Sequence, residues 1–295
     1  MTSEPADAAA TIRLWPDGPP SPIDNVPDEI QYTVDTGVAA GTILLRNISD
    51  PTLTVFTASE ASRNGVGIVV IPGGGWTINA WTHEGLDVAR WLTGLGYTAF
   101  LLKYRVMATN PDQAAFDAAQ AAMDMSAGGP LPTAKKPRAI SELVSSRRYQ
   151  EARDAAADDG RRAIQLAREH AQQYGIKPEL VGAIGFSAGA FLAVDIAMDP
   201  RADQPAFIAP IYGGETRGSQ VPPDAPPMFT AVAQDDFLSC IVEGLHADWS
   251  ASDRPSELHV FRRGGHGFGM IAQGLPSDRW TDLFAAWLDD LRLTT

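Results

Sequence analysis

The stretch Leu180-Val181-Gly182-Ala183-Ile184-Gly185-Phe186-Ser187-Ala188-Gly189 decides the fold. Its apolar first half reads as a buried strand, and Phe191-Leu192-Ala193-Val194-Asp195-Ile196-Ala197-Met198 reads as a helix. Between them lies a tight turn with serine at its apex. Such a turn strains the serine backbone and is tolerable only where the residues two before and two after lack bulky side chains, and both are glycine. The serine oxygen then stands clear of the sheet edge, and the helix aims its free N–H groups at negative charge developing beside it. The pentad alone also arises by chance in a chain with 27 glycines. The flanking strand and helix are the context it requires.

Outward from this point, apolar strands alternate with helices. Val66–Ile71, a helix near Glu84–Leu95, Tyr97–Leu102, a helix near Ala155–Tyr174 and Leu180–Ile184 are followed by Phe207–Tyr212, Met228–Ala233 and Glu257–Phe261. An amphipathic helix carrying Trp280, Leu283, Phe284, Trp287, Leu288 and Leu291 closes the series. Strands apolar on both faces belong in a buried, mostly parallel sheet, so the expected architecture is doubly wound α/β in one domain spanning 1–295. Residues 1–29, rich in proline and acid, read as an extended surface arm with little chemistry. Short β-rich runs at Gln31–Val34, Thr42–Arg46 and Leu53–Thr57 suggest an antiparallel lead-in. Residues 106–154 break the rhythm: an Ala/Met-rich helix (Ala114–Met125), a hinge (Gly128–Pro137) and a second polar helix (Ile140–Arg153). This segment reads as a helical insertion, either a lid over the site or an elaboration packed elsewhere.

Serine chemistry needs a base within hydrogen-bond reach and a carboxylate to orient it, both following the serine in this strand order. Of the five histidines, His83 and His170 precede the serine, His246 falls in a helix and His259 in a strand. His266, in the loop Gly264-Gly265-His266-Gly267-Phe268-Gly269 past the last strand, is the candidate base. The acid candidates are Asp235 and Asp236, just after Met228–Ala233. Asp235, the first position free of the strand end, is the expected partner, and the alternative role for Asp236 is to cap the next helix. An oxyanion needs preorganised N–H donors. Ala188 should supply one, and Pro72-Gly73-Gly74-Gly75-Trp76 after an earlier strand should supply two, from Gly74 and Gly75. A phosphate loop is disfavoured, since no Lys-Ser/Thr follows the glycines. Trp76, Trp81 and Met107 are candidates to line the substrate pocket, although aromatics at such spacings also serve as core.

Composition narrows the partners. A formal net charge of −13 repels nucleic acid and anionic lipid, which favours a small neutral or cationic substrate. Nine of the 23 basic residues fall between Lys135 and Arg168, where solvated helix faces explain them. No apolar run approaches the roughly 20 residues that span a bilayer. The N-terminus shows no basic and apolar leader pattern, so the expected location is cytoplasmic. Cys240, the lone cysteine, can form no internal disulfide and excludes a zinc cluster built on several thiolates.

Taken together, Leu14-Trp15-Pro16-Asp17-Gly18, Arg46 to Val55, Ile71 to Trp76, His83-Glu84-Gly85, Leu102-Lys103-Tyr104-Arg105 and Asp158-Asp159-Gly160-Arg161-Arg162-Ala163 resemble the α/β-hydrolases, and more narrowly the acetyl xylan esterase-like family. The resemblance implies a Ser-His-Asp carboxylic ester hydrolase for acetylated sugars or related small esters, working without metal or cofactor. It carries over as Ser187, Asp235 and His266, with Gly74, Gly75 and Ala188 holding the oxyanion. Two rivals stand beside it. A peptidase or amidase would use the same three side chains, and a non-catalytic binding protein of this fold would usually have lost one of them.

Overall fold

In the computed structural model, residues 5, 7–123, 146–200, 204–291 and 293 are described, side chains of 121–123 aside. The strands are β1 (Ala10–Arg13), β2 (Ile30–Thr33), β3 (Ile43–Arg46), β4 (Thr52–Phe56), β5 (Gly67–Ile71), β6 (Ile78–Asn79), β7 (Thr98–Lys103), β8 (Val181–Phe186), β9 (Ile208–Ile211), β10 (Met228–Ala233) and β11 (Ser256–Phe261). The helices used below are α1 (Asp87–Gly94), α2 (Gln113–Met123), α3 (Arg147–Glu169), α4 (Ala188–Ala197), α5 (Ser239–Ala251) and α6 (Trp280–Asp290). A π-helical turn, Thr82–Leu86, leads into α1.

Eight strands form the main sheet in the order β1-β4-β7-β5-β8-β9-β10-β11. The β1/β4 and β4/β7 pairs are antiparallel, and from β7 to β11 every pair is parallel. Every residue of β5, β7, β8, β9 and β10 is buried, as strands covered on both faces must be. The chain leaves β5 toward β7 on one side and returns to β8 on the other. The carboxyl ends of β5 and β8 therefore lie at a topological switch point, the place where open α/β sheets gather their chemistry.

The helices follow from steric fit to this sheet. Helix α4 begins at the end of β8 and is buried along nearly its whole length. Helix α3 packs against it, and at Gly160 a Cβ would come within 2.6 Å of Ile196 Cδ1. The doubly wound, mostly parallel α/β sheet read from the alternation is thus observed. Two expectations need correction. The proline-rich arm carries a strand, β1, registered Ala10 to Val55 against the sheet edge. Helix α3 runs unbroken from Arg147 to Glu169, so a helix boundary near Arg153 does not exist. Its Ala152, Ala155, Ala156, Ala163 and Ala167 form one buried stripe that continues through that position. The rest of the segment 124–145, including the hinge expected at Gly128–Pro137, lies outside the described residues.

A buried polar knot ties distant parts of the chain together. Asp159 on α3 is fully buried and Arg105, just past β7, is 1% exposed. Arg105 Nη2 donates to Asp159 Oδ1 at 2.8 Å and its backbone N–H to Oδ2 at 3.0 Å. Trp15 Nε1, from the arm, donates to Asp159 Oδ1 at 2.7 Å. Arg105 also donates to the carbonyls of Ser21 and Ala155. The arm, the carboxyl end of β7 and α3 thereby share one charge pair. Removing one member leaves the other charged and unsatisfied in the interior, which typically costs about 3–5 kcal/mol. Asp159→Ala should therefore lower unfolding stability in urea by about that amount, whereas a loss no larger than a surface substitution causes would contradict this account.

Candidate active site

Three loops converge at the carboxyl edge of the sheet. The first is the turn after β8. Ser187 has φ 49° and ψ −114°, a strained conformation for a residue with a side chain. The flanking glycines permit it: a Cβ on Gly185 would lie 2.1 Å from Gly189 O, and a Cβ on Gly189 would lie 2.1 Å from Ile71 O. The turn is thus pressed against itself and against the end of β5. Ser187 N–H donates to Ile211 O at 3.0 Å, which registers the turn to β9.

The second loop carries His266. Its Nε2 lies 2.8 Å from Ser187 Oγ. Its Nδ1 lies 2.8 Å from Asp236 Oδ2, so the acid contacting the imidazole is Asp236 and not the expected Asp235. The turn after β10 explains the difference. Asp236 N–H donates to Ala233 O at 3.0 Å, and this reversal carries Asp236 under the ring with its side chain fully buried. Its other oxygen accepts the Leu238 N–H at 2.8 Å, a bond within the turn; the next helix starts at Ser239 with Leu238 as N-cap and no side-chain cap, so Asp236 does not cap it. Asp235, one step earlier and half-buried, accepts the N–H groups of Gly264 and Gly265 at 3.0 and 2.9 Å. It anchors the loop that bears the histidine. The ring itself packs against Tyr212 and Phe237, with centroids 5.2 and 4.6 Å away.

Burial alone would lower the His266 pKa. The charge of Asp236, its hydrogen bond and the more distant Glu84 outweigh that effect, and the net direction is upward from 6.5.

The third loop, Gly73-Gly74-Gly75-Trp76, follows β5. Gly74, Gly75 and Trp76 all have positive φ, at 128°, 59° and 58°. A Cβ on Gly73 would come 2.8 Å from Ser187 Cβ, which shows how closely this backbone passes the serine. Ala80 N–H holds the Gly73 carbonyl at 3.0 Å, and Thr77 and Ile78 N–H hold the Gly74 carbonyl at 3.1 Å. Among the described residues, the N–H groups of Gly74, Gly75 and Ala188 donate to no protein acceptor. That of Ala188 opens helix α4, where the first turn leaves its donors free.

Of the pocket candidates, Trp76 and Met107 meet, Met107 N–H donating to Trp76 O at 2.7 Å. The Trp76 ring lies 4.8 Å from Tyr149 and 5.7 Å from Phe191, whose own N–H donates to Ser187 O at 3.2 Å. These rings form a buried wall beside the serine turn. Trp81 instead precedes the π-helical turn, its carbonyl accepting from Leu86.

Sequence reading gave no role to Glu84. It is 3% exposed, and its two oxygens accept from Gly73 N–H at 2.7 Å and from the Tyr212 phenol at 2.6 Å. The only sequence signal was its place in the stretch His83-Glu84-Gly85, one of those that carried the family resemblance. Among the described residues, no three His, Cys, Asp or Glu side chains converge as a metal site, and no helix is long and apolar enough to cross a membrane.

Comparisons with known proteins agree with this architecture. An acetyl ester-xyloside bifunctional hydrolase from Caldicellulosiruptor lactoaceticus is 22% identical, with 100% of both chains covered and a TM-score of 0.61. A carboxylesterase from Lactobacillus plantarum is 15% identical over 91% of this chain and 99% of its own, with a TM-score of 0.59. An α/β-hydrolase enzyme from a Medee basin deep-sea metagenome library is 21% identical over 89% of this chain and 97% of its own, with a TM-score of 0.58. At these identities they speak for the fold. No curated protein matches by sequence. The model of the dienelactone hydrolase family matches residues 53–278, which hold the triglycine loop, the serine turn, Asp236 and His266, and the chain accordingly belongs to that family as an esterase-type hydrolase of the α/β-hydrolase fold.

Proposed function

We propose that this esterase is a serine hydrolase of short-chain, acetyl-type carboxylic esters, acetylated sugars included, and that it works through an acyl-enzyme. The observation that carries this reading is the unbroken relay from Ser187 Oγ to His266 Nε2 and from His266 Nδ1 to Asp236, with 2.8 Å at each step. Ser187 attacks the ester carbonyl while His266 takes its proton. The N–H groups of Gly74, Gly75 and Ala188 receive the oxyanion, and the imidazolium returns its proton to the departing alcohol. Water, activated by the same base, then attacks the acyl-serine and releases the acid. Asp236 fixes the tautomer with Nδ1 protonated and steadies the imidazolium, while Asp235 holds the loop.

The preference for a short acyl group draws on the crowded wall of Trp76, Tyr149, Phe191 and Met107 beside the serine. It is in keeping with the acetyl ester named for the bifunctional hydrolase of the same fold. In this reading Trp76 and Met107 limit pocket depth. The segment that follows β7 is proposed to border the site, its near end tied down where Arg46 donates to Thr109 and to the Pro111 carbonyl and where Asn47 accepts from Thr109. The substrate is a small-molecule ester.

Purified protein should hydrolyse p-nitrophenyl acetate faster than the longer acyl esters and faster than aminoacyl anilides, and Ser187→Ala should abolish the turnover. Full activity in that variant would refute the mechanism, and a preference for long acyl chains or anilides would refute the substrate class.

The two aspartates give a sharper comparison. Asp236→Asn should lower kcat by roughly 10³–10⁴-fold, because an amide whose oxygen stays on the Leu238 N–H turns its NH2 to the ring, which selects the wrong tautomer and removes the charge that steadies the imidazolium. Asp235→Asn keeps an acceptor oxygen for the loop and should cost at most about tenfold, the scale of one neutral hydrogen bond. The reverse ranking in steady-state assays would return the acid role to Asp235.

The base works only when neutral. With the His266 pKa raised above 6.5, the acid limb of the kcat/KM profile should have its midpoint above 6.5, and activity should fall as pH drops through it. A midpoint at or below that value would contradict the assigned electrostatics.

A further inference from the structure

Glu84 lies between the triglycine loop and the histidine loop, and its hydrogen bonds fix the direction of the Tyr212 phenol proton. Gly269 N–H, which can only donate, donates to the Tyr212 phenol oxygen at 3.1 Å. The phenol proton is then directed to Glu84 Oε1, 2.6 Å away, and Gly73 N–H donates to Glu84 Oε2 at 2.7 Å. Each oxygen of the Glu84 side chain thus accepts a hydrogen bond. Burial, reinforced by this carboxylate, pushes the Tyr212 phenol well above its ordinary range and keeps it a donor.

The same group of contacts closes on the histidine loop from the other side. Met270 N–H donates to His83 O at 2.9 Å, and Trp280 Nε1 donates to Gly269 O at 2.7 Å. A Cβ on Gly269 would come 2.7 Å from His83 O and 3.1 Å from Glu84 Cγ, so the loop seats directly on the π-helical turn.

We infer that Glu84 is a positioning residue that locks the triglycine loop to the histidine loop and places a fixed negative charge near His266. This inference rests on the proposed serine-esterase chemistry. Its first consequence is geometric. Holding Gly73 N–H leaves the next two peptides, those of Gly74 and Gly75, with their N–H groups free for an oxyanion. Anchoring Gly269 through Tyr212 keeps the imidazole at hydrogen-bond distance from Ser187. Preorganisation of this kind acts on the transition state and leaves substrate binding largely alone.

The second consequence is electrostatic. The groups facing His266 are Ser187 from the end of β8, Tyr212 from the end of β9, Asp236 and the Phe237 ring from the end of β10, and Glu84 from the π-helical turn. Those facing Glu84 are Gly73 N–H, Tyr212, His83 Nε2 at 3.9 Å, and Tyr104, whose phenol donates to Pro72 O at 2.8 Å. Asp236 and Glu84 are the two carboxylates that favour the imidazolium. Neutralising Glu84 should lower the pH at which His266 becomes a base.

The test compares full-length wild type, Ser187→Ala, Glu84→Gln and Tyr212→Phe on p-nitrophenyl acetate across a pH series. Glu84→Gln should lower kcat by about tenfold to a hundredfold with KM within about twofold, the scale of a small misplacement of reacting groups. Its kcat/KM acid limb should move downward by about half a pH unit or more. Tyr212→Phe keeps the charge and deletes the bridging hydroxyl, so it should lower kcat by about tenfold without lowering the limb. It also serves if Glu84→Gln does not fold, because an unchanged kcat in Tyr212→Phe overturns the inference by itself. A Glu84→Gln enzyme that is slower at every pH with an unmoved limb would reduce Glu84 to a purely structural part and overturn the inference too. If wild type is inert, or Ser187→Ala is fully active, the esterase mechanism fails. Ser187-dependent turnover with an unmoved limb would defeat the Glu84 inference alone.

Discussion

The end of β5 and the turn after β8 are in steric contact, and the rest of the site depends on that contact. Gly189 lies so close to the Ile71 carbonyl that any side chain there would collide, and Gly185 is equally tight against Gly189. The sheet register, Ile71 opposite Gly185, sets this distance. Because the turn cannot relax outward, Ser187 is held at φ 49°. Such a conformation costs of order 1–3 kcal/mol and persists only where its surroundings over-determine it. The parallel sheet and the buried helix α4 supply that surplus of constraint. The outcome is a hydroxyl fixed at the switch point of the sheet, with a helix N-terminus beside it.

Two other non-glycine residues with positive φ border the same site, Trp76 at 58° and Tyr212 at 40°. Trp76 closes the triglycine loop and Tyr212 follows β9, so strain gathers at the carboxyl ends of neighbouring strands. One polar group links Tyr212 to the loop beside Ser187. Tyr212 bonds Glu84, Glu84 bonds Gly73, and Gly73 lies against Ser187. A buried network of this kind stiffens a site when every member is satisfied. The Arg105–Asp159 knot does comparable work further out, fastening the arm and α3 to the sheet without touching the reacting groups.

Much of this was legible in the residues. Uninterrupted apolar runs such as Val66–Ile71 give buried parallel strands almost residue for residue, because a strand covered on both faces admits little else. That Ser187 and His266 meet was readable because glycines surround both, and glycine at fixed offsets is a backbone requirement that leaves a trace in sequence. The choice between Asp235 and Asp236 was not readable. Strand alternation stops at Ala233, and a reversal held by one backbone hydrogen bond decides which carboxylate turns inward. Glu84 escaped for a related reason. Glu84 stands at the start of the helix expected near Glu84–Leu95, and only tertiary packing shows that it is buried and doubly bonded. The strand in the N-terminal arm was hidden by the prolines that follow it, and the true length of α3 by the charged residues Arg147, Arg148, Glu151 and Arg153 that crowd its first two turns.

The central claim is that Ser187 is the nucleophile of an acyl-enzyme. Covalent trapping reads it most directly: incubation with a fluorophosphonate, proteolysis, and mass-spectrometric assignment of the modified residue, with Ser187→Ala as control. The account predicts a single adduct on the peptide containing Ser187, formed in parallel with loss of activity and absent from the control. Complete inhibition with the adduct on another residue, or retained esterase activity with Ser187 fully modified, would contradict it.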